Sequence, residues 1–211
     1  FYGRANAENR GETNFYARSH GSDLAESDPF GLDLTSTEGL REMYLKAEHE
    51  DGYLRDQSVF GDGISIEDTL GLLVRMRSGA VMTYCLTAYA PWEGFRLSIS
   101  GTGGRIEAQQ VESSYISAGG DQSEEASATD RSLRILPMFG DPVDIELEDS
   151  PGAHGGADPR ILQDMFGTPT EDPLSRSASH VDGANAILTG IAGNVSMQTG
   201  RMINVDELIS W

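Results

Sequence analysis

Three segments of this 211-residue sequence carry side chains able to do chemistry. His154-Gly155-Gly156-Ala157-Asp158 sets an imidazole beside two glycines at the mouth of a helix, where it could meet a polar substrate. A plainer reading competes, because Asp158-Pro159 is also a helix start, a side-chain cap followed by proline at the first helical position. His154 would then be an ordinary loop histidine, and no third ligand stands at a spacing that would make a metal site. Tyr89-Ala90-Pro91-Trp92-Glu93 ends a strand with two large aromatics and a carboxylate. Such rings stack on sugars and such carboxylates accept from hydroxyls, with core or inter-domain packing as the alternative. Gly101-Thr102-Gly103-Gly104 has the glycines of a phosphate loop, but a strand pattern over residues 105–111 follows where a helix N-terminus is required. The chain is therefore expected to bind no nucleotide of its own and, alone, to be catalytically inactive.

The other reactive types are scattered. His20, His49 and His180 have no supporting neighbours, and no Ser, His and acid arrangement stands out. Among so many acids no pair is singled out for glycoside hydrolysis. The single Cys85 allows no internal disulfide, and its apolar strand setting predicts a buried small hydrophobe rather than a reactive thiol. A cytoplasmic setting fits.

Charge narrows the partners. Fifteen basic residues against 34 acidic leave a net charge of −19, and Lys46 is the only lysine. A field of that sign repels a phosphate backbone, which argues against nucleic acid. No run of about 18 apolar residues exists, so no membrane span is expected. The sequence starts at Phe1 without an apolar leader, which reads as a fragment or processed product. Its length suits one large domain.

The elements that must position these residues follow from periodicity. Residues 1–52 read as an irregular opening segment, with a short strand at 1–4, followed by a helix. Thr35 and Glu38 have capping-box spacing, and Leu40, Met43, Tyr44 and Ala47 form the helix stripe, which stops at Gly52. From Thr69 the period becomes two. Leu70, Leu72, Val74 and Met76 share one strand face; after Ser78-Gly79, Met82, Tyr84, Leu86 and Ala88 share the next. Phe95, Leu97 and Ile99 alternate with Arg96, Ser98 and Ser100 before the glycine turn. Residues 53–150 thus read as an antiparallel meander, interrupted by a polar, flexible loop at 117–132 and resumed at 133–138 and 143–147. Apolar residues on both faces of the first hairpin predict that something covers each side. Residues 151–211 supply a helix from Asp158, with Ile161, Leu162, Met165 and Phe166 as its buried stripe. A long helix over 181–199 follows, its flank kept small by Gly183, Ala186, Gly190 and Gly193, and then a closing strand at 202–205.

The residues of 66–76, Ser78-Gly79, 97–107 and His154-Gly155-Gly156-Ala157-Asp158-Pro159-Arg160, with Asp182-Gly183-Ala184 through Gly200-Arg201 and Val205-Asp206, resemble the C-terminal domain of the Gfo/Idh/MocA oxidoreductases. The resemblance covers about residues 53–211. It implies an α+β fold with an open, predominantly antiparallel mixed sheet and helices packed on one face, like the C-terminal domain of glyceraldehyde-phosphate dehydrogenase. It also implies a separate N-terminal Rossmann domain that binds NAD or NADP, substrates that are sugars, inositols or related polyols, and a homo-oligomer formed through the sheet face. Some members of the superfamily instead hydrolyse glycosides by a transient NAD-dependent oxidation, and a pure association module without chemistry is a further alternative. The family's catalytic lysine and histidine motifs have no counterpart here: Lys46 is not in a Glu-Lys-Pro sequence. The site residues expected from this chain are substrate contacts, His154, Tyr89, Trp92 and Glu93, with no catalytic, cofactor or metal residue.

Overall fold

The computed structural model describes residues 1–113, 130–147, 156–168 and 171–209. Their contacts gather into two compact units. One comprises Phe1–Leu70 with Cys85–Ala157, and the other Gly71–Tyr84 with Asp158–Trp211.

In the first unit the opening segment forms a helix, α1 (Arg4–Asn9), where the sequence predicts a strand at residues 1–4. The backbone there is claimed locally: Gly3 N donates to Val59 O at 2.8 Å and Arg4 N to Gly61 O at 3.0 Å, while Gly3 itself turns at φ 83°. The long irregular stretch that follows is tied down rather than loose. Ser19 N donates to Asp56 O and Ser58 N to Ala17 O, a short antiparallel bridge centred on Arg18 and Gln57. Inside it lies Asp56, only 1% exposed.

The predicted helix after Thr35 is present but broken. Thr37, not Thr35, caps it, accepting from Leu40 N at 3.1 Å, because Thr35 is bound to Asp33 instead. α2 (Glu38–Leu40) widens at once into a π turn (Arg41–Leu45), in which Lys46 N reaches back five residues to Arg41 O. The wider turn carries Met43 out of the expected stripe, and it is exposed while Leu40 is buried. α3 (Glu48–Asp51) ends at Gly52 as expected.

The expected strands form and pair antiparallel, but in two separate sheets rather than one continuous meander. β1 (Thr69–Arg75) and β2 (Val81–Thr87) form a two-stranded hairpin around Ser78-Gly79. β3 (Glu93–Gly101), β4 (Gly104–Ser113), β5 (Asp130–Pro137) and β6 (Val143–Asp144) form an antiparallel sheet in that order. β5 begins at Asp130, so the last three residues of the predicted loop are strand; the rest of that loop, to Thr129, lies outside the described residues. Two glycines fix this sheet. At Gly94 (φ 149°) and Gly104 (φ 146°) a Cβ would lie 2.1 Å from Gln110 O and 2.2 Å from Leu136 O, so only glycine lets the neighbouring strands approach.

In the second unit, α4 (Ala157–Phe166) starts one residue before the predicted cap, so Asp158 and Pro159 lie within its first turn. Proline is tolerated there because the first turn's N–H groups have no helical partner. Its expected buried stripe is not buried. Ile161, Leu162, Met165 and Phe166 are all more than half exposed, Phe166 by 78%. α5 (His180–Thr199) is capped by Ser179, whose hydroxyl accepts from Asp182 N while Asp182 accepts from Ser179 N, and it ends at Gly200. Its small flank works as predicted at Gly193, which is buried with the Leu72 side chain of β1 against it. Val181 and Ile191, which the apolar spacing of this helix would place on its buried side with Leu188, are exposed. The predicted closing strand is instead irregular chain followed by a 3-10 turn at Val205–Glu207, because Asn204 caps the turn by accepting from Asp206 N. Cys85 is exposed, not buried: it lies on a two-stranded hairpin, and none of the described residues covers it.

Candidate functional site

The four-stranded sheet has two unequal faces, and both follow from strand alternation. On one, the register sets Ile99, Ile106, Ile135 and Val143 in a single row across all four strands. Leu97, Ala108 and Leu133 form the next row, with Ile145 N bonded to Leu133 O beside it. Phe95 begins a third row, in which Gln110 and Arg131 bring polarity. Ile99 is 55% exposed, and Phe95, Leu97, Ile106, Ile135, Val143 and Ile145 are exposed too. An apolar patch of this extent exceeds what scattered surface hydrophobics produce.

The opposite face is polar and largely satisfied internally. Arg105 Nε pairs with Glu107 at 2.7 Å, and Arg134 with Asp144 at 3.4 Å. Arg96 Nε donates to Gln109 Oε1 at 2.9 Å, and Gln109 Nε2 to Asp130 Oδ2 at 3.1 Å. An antiparallel sheet with one wet and one apolar face is a common arrangement, provided the apolar side has a partner.

The sequence-predicted site residues divide. Tyr89 joins the aromatic core of the first unit: its ring stacks on Phe1 at 4.7 Å and an interplanar angle of 15°, and Phe1 also meets Phe30 and Phe60. One face of Tyr89 is therefore occupied. Trp92 and Glu93 lie where β3 begins, and the Arg96 guanidinium stands 5.1 Å over the Trp92 ring. This brings Trp92 to the wet face of the sheet, beside groups that can exchange hydrogen bonds with a ligand. His154 lies outside the described residues. Arg96 was missed in the sequence, although its alternation with Phe95 and Leu97 marks the polar side of the strand.

Two of the clefts among the described residues lie elsewhere. One of about 260 Å³ lies beside α1, lined by Tyr2, Arg4, Asn6, Glu8 and Asp62 among others. The other, of about 480 Å³, lies between α4 and the loop after it, where Arg160, Asp164, Asp172 and Arg176 meet. Asp172 is held below the usual carboxylate range, first by the backbone N–H of Arg176 and then by that of Ser177. Among the described residues no group of three or more metal-ligating side chains is found, and no helix is long and apolar enough to cross a membrane.

The glycine turn does not fit a dinucleotide. It joins two hydrogen-bonded strands, and Gly104 serves close strand approach, so the chain leaves the turn as a strand and not as a helix N-terminus.

Residues 30–205 match the family model described as the oxidoreductase family, C-terminal alpha/beta domain, of the Gfo/Idh/MocA group. The chain belongs to that family. This Gfo/Idh/MocA C-terminal domain is also 31% identical over 182 residues to the Bacillus subtilis (strain 168) protein named "Putative oxidoreductase YteT". That match covers 82% of this chain and 40% of YteT, so the chain spans about two fifths of the length of its relative. No solved structure matches the chain. The mixed α/β architecture with antiparallel sheets accords with the family domain.

Proposed function

We propose that the chain is the substrate-lining and self-associating domain of an oxidoreductase that transfers hydride between NAD or NADP and a sugar, inositol or related polyol. On this reading all 211 residues serve as one C-terminal domain, and the nucleotide belongs to an N-terminal Rossmann domain of a longer, cytoplasmic protein. His154, Tyr89, Trp92 and Glu93 supply contacts to the substrate from this side. Family membership and the partial coverage of the relative support the division of labour.

The observation that carries the self-association is the ladder of exposed apolar residues across β3–β6, with Ile99, Ile106, Ile135 and Val143 at its centre. A second copy presenting the same patch about a two-fold axis is self-complementary without further design. Light scattering of the chain should show a concentration-dependent dimer. Ile99→Glu, which sets an unpaired charge in the central row, should leave a monomer with unchanged circular dichroism. Titration calorimetry with NAD and NADP should show no tight binding to this chain. A strict monomer at high concentration would overturn the self-association, and tight nucleotide binding would overturn the division of labour.

A further inference from the structure

On the wet face of the sheet one arginine is held in place without being neutralised. The Arg96 guanidinium lies over the Trp92 ring and is anchored through Nε by Gln109, which Asp130 in turn orients from the neighbouring strand. Ring and relay fix the plane of the group from two directions. Its two terminal nitrogens have no partner among the described residues. The other two arginines of the same face, Arg105 and Arg134, are each matched to a carboxylate. In a chain with 34 acidic and 15 basic residues, a positioned guanidinium that meets no acid among the described residues runs against the balance of charge. A freely solvated arginine would not need a side-chain relay spanning three strands to hold it.

A planar fork with one edge fixed and the other open matches the two oxygens of a carboxylate, which a lysine's point charge does not. Around it, Ser98 and Ser100 continue the same face of β3, and Trp92 offers an indole surface. These groups suit the hydroxyls and the ring of a sugar. The net charge of −19 opposes an anion at long range. Beyond about 8 Å that field is screened at physiological ionic strength, so the local guanidinium decides.

We propose that Arg96, backed by Trp92 and Gln109, recognises the carboxylate of an acidic sugar. The proposal rests on the reading of this chain as a substrate-side domain and makes it specific.

Trp92 and Trp211 are the two tryptophans of the chain, so a Trp211→Phe background isolates the emission of Trp92. In that background, titration at constant ionic strength with glucuronate should change Trp92 emission saturably, whereas glucose should not. Arg96→Gln should weaken glucuronate binding by at least about tenfold, the loss expected for a charge-assisted hydrogen-bonded pair. Arg96→Lys should fall between the two. Because Arg96 is exposed, all variants should keep the thermal midpoint of the parent, which separates lost binding from lost folding.

Equal binding of glucose and glucuronate, full retention of binding in Arg96→Gln, or no saturable response to glucuronate would each overturn the proposal. None of these outcomes touches the oxidoreductase reading. That reading fails separately, if the longer protein does not reduce NAD or NADP with any sugar or polyol.

Discussion

Removing the carboxylate of Asp56 should be among the most destabilising single changes in the first unit. Its Oδ2 accepts from His20 N at 2.7 Å and from Arg18 Nε at 3.2 Å. Its Oδ1 faces Arg18 Nη2 at 2.8 Å as an ion pair, off hydrogen-bond alignment. Asp56→Ala leaves the His20 amide without its acceptor and strips Arg18 of its enclosed counter-charge. Breaking a buried pair from one side costs about 3–5 kcal/mol. Arg18 retains its bidentate contact with Glu48 and 23% of its side-chain exposure, which places the expected loss near the lower end, about 3 kcal/mol. Glu48→Gln should cost clearly less than Asp56→Ala, since Arg18 keeps Asp56 and the amide still accepts one hydrogen bond. Urea unfolding at neutral pH, with slopes compared to confirm the same transition, measures both. A loss below about 1 kcal/mol for Asp56→Ala, the range of a surface pair, would refute the reasoning. So would a larger loss from Glu48→Gln.

The glycine turn offers a sharper geometric test. Gly104→Ala forces a Cβ to within 2.2 Å of Leu136 O at φ 146° and should cost more than about 2 kcal/mol. Gly103→Ala meets nothing within 4 Å and should cost much less, and equal thermal midpoints for the two would contradict the assignment. The α5 cap predicts a pH dependence. The Ser179 hydroxyl, and then its backbone N–H, holds the Asp182 carboxyl below its usual range. A carboxyl whose pKa is lower folded than unfolded contributes stability above its unfolded value of about 3.9 and loses it as the pH falls through the folded value. The stability difference between the parent and Asp182→Asn should therefore be constant near neutrality and shrink as the pH drops below that range. A difference that grows on acidification would refute it.

How much of this was legible in the sequence depends on the range of the interactions involved. The meander was legible because a strand's period of two, with turns at Ser78-Gly79 and Gly101–Gly104, is a local signal that each segment satisfies on its own. The Ser179–Asp182 cap and the stop at Gly200 likewise depend on residues within one turn. The broken helix over residues 38–51 was not legible, because Asp33 diverts Thr35 and a π turn shifts the stripe, and neither changes the apolar spacing. Residues 1–4 read as a strand, yet the Gly3 and Arg4 amides bond to Val59 and Gly61, and the Phe1 amino group and Tyr2 amide to the Asp68 carboxylate, all far along the chain. The apolar residues of α4 and Cys85 were read as buried because periodicity shows which residues share a face but not whether another layer covers it. The unequal faces of the four-stranded sheet combine both levels: alternation wrote each strand's apolar side, and cross-strand register joined those sides into one patch. Arg96 belongs to tertiary structure alone. Its placement over Trp92 and against Gln109 depends on strand pairing, which brings together residues that no spacing rule connects.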